Sequence, residues 1–129
     1  MKLAALTGLS RESIEDLIKN HVRTFEIHSA HNLIIFSVIK PGDMIFVTDA
    51  VAPDVIPGLL GYVVMVRGID LHMNRVMVST PLNYEERETM CARVQLMLHS
   101  IGKVREVKPV EPYKPIYVEA IEIKHSDAR

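Results

Sequence analysis

The chain has a single cysteine, Cys91, among its 129 residues. That excludes an internal disulfide and any metal site built from several thiolates of one chain, and it suits a reducing compartment. Long apolar runs are missing too: the longest, such as residues 33–36 and 62–66, fall far short of the roughly 20 residues that a membrane-spanning helix requires. The opening MKLAALTGLSRES passes quickly into polar and charged positions, so it lacks the hydrophobic region of a secretory signal. Neither sign of charge dominates. The net charge is −1 with histidines neutral, and the interspersed charges form no basic tail or stripe of the kind that marks a nucleic-acid footprint. There is no glycine-rich phosphate loop, dinucleotide fingerprint or Ser-His-Asp order. A cytoplasmic protein is expected, with no membrane contact, cofactor or metal.

What is present is ordinary globular material. Hydrophobic residues make up 48% and charged residues 24% of the chain, a balance that fits neither a disordered nor a fibrous chain. The length suits one compact domain over residues 1–129. Six arginines, Arg11, Arg23, Arg67, Arg75, Arg87 and Arg93, are scattered in sequence, and a fold can gather such residues into a patch.

The first regular element expected is a helix over Arg11–Asn20, with Ser10 as N-cap, Glu12 in the first turn and an apolar stripe of Ile14, Leu17 and Ile18. Residues 22–29 alternate: Arg23, Phe25 and Ile27 share one face of a strand, and Val22, Thr24, Glu26 and His28 share the other. The apolar run 33–39 is too short for periodicity to separate strand from helix, and a short helix or extended connection is expected. Pro41-Gly42-Asp43 has the residues of a type II turn. Strands then follow at residues 44–48 and 61–71, with Gly68 as a bulge where the alternation changes phase. Residues 75–80 are expected to return as an antiparallel partner after a turn near Met73 and Asn74.

Asn83 with Glu86 resembles a capping box, and a long helical stripe from Met90 to Ile101 competes with alternation of Ala92, Val94, Leu96 and Leu98 against Arg93, Gln95 and His99. A helical turn over residues 83–89 followed by a strand is the preferred reading. Strands close the chain at residues 103–107 and 116–123, joined by the stiff, proline-rich PVEPYKP. One helix followed by six or seven short strands, with few connections long enough for parallel crossovers, predicts a mainly β, α+β domain: a small, mostly antiparallel barrel with an N-terminal helix.

Arg23-x-x-Glu26-x-His28, the Gly42-Asp43 turn and the later GYVVMV strand resemble the barrel of the ASCH and PUA superfamily. The ASCH pattern Gly-x-Lys-x-x-Glu-x-Arg falls here on His21, Arg23, Glu26 and His28, of which the glutamate matches outright and Arg23 keeps the positive charge. The whole chain is also similar to a conserved archaeal family of unknown function, in which openings like ALTGL and segments like SAHN before a Gly-Asp turn recur. The superfamily resemblance implies a PUA/ASCH-like cleft that binds RNA, a modified base or a nucleotide-like ligand, and in some members hydrolyses an amide on such a base.

On this basis Arg23, Thr24, Glu26, His28 and His31 are the candidate ligand-binding residues. A glutamate can accept hydrogen bonds from a base edge or act as a general base, and a nearby cation can hold a phosphate. On a regular strand, however, Arg23 and Glu26 point to opposite faces, and Thr24, Glu26 and His28 are also what the solvated face of an edge strand presents. His28 and His31, with His72 or His99, could form a metal site, but the His28-x-x-His31 spacing suits a helix better than the strand expected here, and Cys91 reads as a small buried hydrophobe. Three functions remain open: a binding module for RNA or a nucleotide-like ligand, a small amidohydrolase using Glu26 and Arg23, and a structural protein whose strands pair in a homodimer.

Overall fold

The computed structural model describes residues 1–123, without the side chains of residues 74, 76, 78 and 85–88. The chain enters as a strand that the sequence reading did not include, β1 (Lys2–Leu6). Helix α1 (Arg11–Asn20) follows within the expected limits. The Ser10 side chain accepts the Ser13 N–H at 3.1 Å, and Leu17 is fully buried. The helix ends at His21, which takes the left-handed conformation (φ 65°) and donates its N–H to the Leu17 carbonyl. β2 (Val22–Ile27) shows the expected alternation, with Phe25 and Ile27 buried and Thr24 and Glu26 exposed. A helical turn, α2 (Ala30–Leu33), runs into a 3-10 turn over Ile34–Ser37. Pro41 and Gly42 make the expected reversal: Gly42 has φ 98°, and Asp43 N–H reaches the Lys40 carbonyl at 3.1 Å. β3 (Met44–Val47) follows.

The largest departure lies in the next two strands. β4 runs unbroken over Leu60–Ser79 and β5 over Tyr84–Val107. There is no turn at Met73 and Asn74, no helical turn at residues 83–89, and no separate strand at residues 103–107. The chain reverses later, where the Thr80 hydroxyl bonds to both the N–H and the carbonyl of Asn83, and the Asn83 side chain accepts the Tyr84 N–H. Once Ser79 is set opposite Tyr84, pairing continues all the way to Leu60 opposite Lys103, so ladder formation overrides the local helical signals. The capping-box reading of Glu86 concerns a side chain outside the described residues. The expected bulge is present beside Gly68, with Arg67 as the residue that has no partner in the β4–β5 register. β6 (Ile116–Ile123) is as expected.

The strand order is β2-β5-β4-β3-β1-β6, and β6 also pairs with β5. β5, β4, β3, β1 and β6 therefore close a ring of hydrogen bonds, to which β2 is added along β5. Every pairing is antiparallel except β1 with β3. The architecture is thus mainly β with two short helices, an α+β fold. Two apolar clusters lie on alternate faces of the strands. One draws Leu3, Ala5, Phe46, Val63, Val104 and Val118 from all five ring strands. The other places Leu6, Ile45, Val64 and Val94 under Leu17 of α1, Phe25 and Ile27 of β2, and Ile35 of the 3-10 turn. No helix among the described residues is long and apolar enough to cross a membrane.

Candidate functional site

Packing α1 and β2 onto the same sheet leaves a cleft of about 630 Å³ between the first turn of the helix and the exposed face of the strand. Ser10 and Ser13 form the helical wall, and Thr24, Glu26 and His28 project from the strand side. Asn32 seals the base. It is 5% exposed, and its amide accepts the Thr7 N–H at 3.1 Å and donates to the Thr7 carbonyl at 2.8 Å, which ties α2 to the residue after β1.

The cation paired with Glu26 comes from β5. Arg93 is directly opposite Glu26 in the β2–β5 ladder, and its Nε lies 3.2 Å from Glu26 Oε1. The other carboxylate oxygen is 3.7 Å from His28 Nε2, which is itself 3.9 Å from Cys91 Sγ. Glu26 and Arg93 are each more than half exposed, so their attraction is weakened by solvent and is readily exchanged for a ligand. Among the described residues, the terminal nitrogens of Arg93 have no protein partner.

Arg23 also borders this cleft but is held elsewhere. Its Nη1 meets Asp16 Oδ2 of α1 at 2.9 Å, and its guanidinium carbon is 5.5 Å from the centre of the Phe25 ring. β2 pairs with β5 without a break, so Arg23 and Glu26 stand on opposite faces of the strand, Arg23 bonded to Asp16 and Glu26 to Arg93. An acid-base pair of Glu26 with Arg23 is therefore not assembled. His31 is exposed on α2 and is not among the residues lining the cleft; the neighbouring Asn32 takes that place. Of the remaining arginines, Arg11 faces Asp49 at 3.6 Å, and the side chain of Arg87 lies outside the described residues. Among the described residues, no three His, Cys, Asp or Glu side chains converge on a point where a metal would sit. Among the described residues, the groups with displaced titration lie away from the cleft: a hydrogen bond from Lys114 holds Glu111 below the usual carboxylate range, the same contact raises Lys114, and a hydrogen bond from the N-terminal ammonium holds Glu119 low.

Arg93 was visible in sequence as one of six scattered arginines and as a member of the alternation at residues 92–98, where it shares a parity with Gln95. Nothing local connects it to Glu26, because that contact depends on the β2–β5 register.

Chemically, the cleft offers hydroxyls, a carboxylate, a guanidinium and an imidazole around an open volume. It can hydrogen-bond a planar polar group and neutralise an anion at the same time. Comparison with known proteins gives a matching picture of ancestry. Residues 1–118 match the model of a family described as "Protein of unknown function (DUF473)". An uncharacterised protein of Methanocaldococcus jannaschii is 34% identical over 119 residues, covering 92% of this chain and 71% of the archaeal one. The chain belongs to the DUF473 family.

Proposed function

We propose that this protein is a cytoplasmic, PUA/ASCH-like binding module that takes a nucleotide unit, free or within RNA, into the cleft beside Glu26. The observation that carries this reading is the placement of Glu26 and Arg93 in one open polar cleft with the first turn of α1. Glu26 supplies an acceptor for the donor edge of a base. Arg93 and the helix terminus supply the positive potential that a phosphate requires. His21 adds support for the superfamily likeness: the position where the ASCH pattern has glycine is the one that adopts the left-handed backbone here, a conformation that glycine reaches without steric cost.

Fluorescence anisotropy with tRNA and with short single strands, at low and at physiological salt, tests the proposal. Salt-sensitive binding is expected, and Arg93→Ala is expected to weaken it on the order of tenfold, the loss of one charge-assisted contact. Glu26→Gln should change which bases are preferred more than it changes the salt slope. Absence of salt-sensitive binding at every concentration would rule out the nucleic-acid reading, and unchanged affinity in Arg93→Ala would rule out this cleft as its location.

A further inference from the structure

The two longest strands extend well past the rest of the fold. β2 stops pairing with β5 at Ile27 opposite Ala92. β3 stops pairing with β4 at Met44 opposite Met65, and Val66 makes the last backbone contacts to the turn before β3, with Gly42 and Asp43. From His72 opposite Cys91 to Ser79 opposite Tyr84, the described residues form a two-stranded ribbon with no third strand, on the order of 25 Å long at the usual strand rise. A bare two-stranded ribbon is marginal in water unless a further strand or another packed layer supports it.

One face of this ribbon continues the apolar face of the body. Ile69 opposite Val94 and Leu71 opposite Ala92 lead to Met73 opposite Met90, then Arg75 opposite Glu88, Met77 opposite Glu86 and Ser79 opposite Tyr84. Inside the body, Val94 and Ala92 are fully buried. Along the ribbon the same parity emerges into solvent: Met73 is 64% exposed, Met77 66% and Tyr84 69%, and Leu71 and Met90 are about half exposed. Together these five present about 600 Å² of surface, the upper end of what a monomer usually leaves uncovered.

We infer that the ribbon is a self-association arm whose apolar face packs against the same face of a second copy of this chain. Two such faces would bury at most about 1,200 Å² in total, the lower end of the range for a stable specific complex. Pairing along the β5 edge is disfavoured, because YEERETM carries three glutamates, and charge along an edge strand resists further pairing. The methionines adapt their shape to an identical surface at little cost.

This proposal is independent of the cleft. Sedimentation and light scattering of the full chain from about 10 µM to about 1 mM should show a concentration-dependent dimer. Met73→Glu with Met77→Glu should weaken self-association on the order of a hundredfold, with circular dichroism and melting retained because neither side chain is buried in the body. Val110→Glu, a change at an exposed apolar residue in the β5–β6 connection, should have no effect. A second readout needs no substitution: the methyl signals of Met73, Met77 and Met90 should move with concentration, and those of Met44, Met65 and Met97 should not. A wild-type monomer across the range, a double variant that still dimerises, or concentration-dependent shifts confined to the body methionines would overturn the proposal.

Discussion

Gly61→Ala is expected to destabilise the protein by about 3 kcal/mol, the upper part of the range for forcing one extra carbon into a packed core. A β-carbon at residue 61 would sit 2.8 Å from Cε1 of Phe46 and 2.8 Å from the carbonyl oxygen of Val47, closer than nonbonded atoms tolerate. Phe46 is fully buried, so its ring can turn only by displacing packed neighbours. The Val47 oxygen belongs to the backbone of β3, which β4 pairs with on one side and β1 on the other. Gly102, the cross-strand neighbour of Gly61, would place its β-carbon 3.0 Å from Val63 Cγ2 and 3.4 Å from the same ring, so Gly102→Ala should cost less, about 1 kcal/mol. Urea titrations with an unchanged slope measure both. Trimming the ring with Phe46→Leu should recover part of the Gly61→Ala loss and leave the backbone conflict in place, a non-additive pair. Equal effects at the two glycines would contradict this account.

Asn32→Leu is expected to cost about 3 kcal/mol even though leucine has a similar volume, because it strips partners from two buried polar groups at once. Thr7 is 1% exposed and lies beyond the last residue of β1. Asn32 supplies both an acceptor for its N–H and a donor for its carbonyl, and so does what a neighbouring strand would do. Asn32→Asp separates the two bonds: a carboxylate still accepts the N–H but faces the carbonyl oxygen with no proton to offer, so most of the loss should persist. Denaturation midpoints together with amide exchange at Thr7 give the answer, and a Leu variant within 1 kcal/mol of wild type would show that water satisfies these groups instead. Because Asn32 also seals the base of the cleft, its loss should weaken ligand binding in parallel.

The features legible in the sequence were those fixed by neighbours along the chain. The cap at Ser10, the Ile14 and Leu17 part of the α1 stripe, the alternation of β2 and the Pro41-Gly42 turn each depend on a few adjacent residues, and all are present in the fold; Ile18, the third residue expected in the stripe, is exposed. The lengths of β4 and β5 were not legible, since what extends them past Asn74 and through Glu88 is each other. β1 is short, precedes the helix, and becomes a strand by pairing with β3 and β6. The candidate site divides in the same manner. Thr24, Glu26 and His28 followed from local parity and lie along one cleft, and the doubt that parity cast on Arg23 is matched by its bond to Asp16. Arg93 depended on a register between distant strands, and Asn32 on the packing of a single helical turn whose neighbouring histidine had drawn attention instead.

The apolar residues on both faces of the ring strands have a consequence for alignment. A strand with one wet face is held in register by the cost of turning its apolar side outward. β1, β3 and the first part of β4 bury both faces, so sliding one of them by a residue would exchange one hidden side chain for another, and hydrophobicity alone would hardly object. Shape has to discriminate instead. Phe46 fits only over the paired hydrogens of Gly61 and Gly102, and a slip by one would set the ring against Leu60 or Tyr62. In this fold, two residues without side chains act as the keyway that tells each strand where to stop.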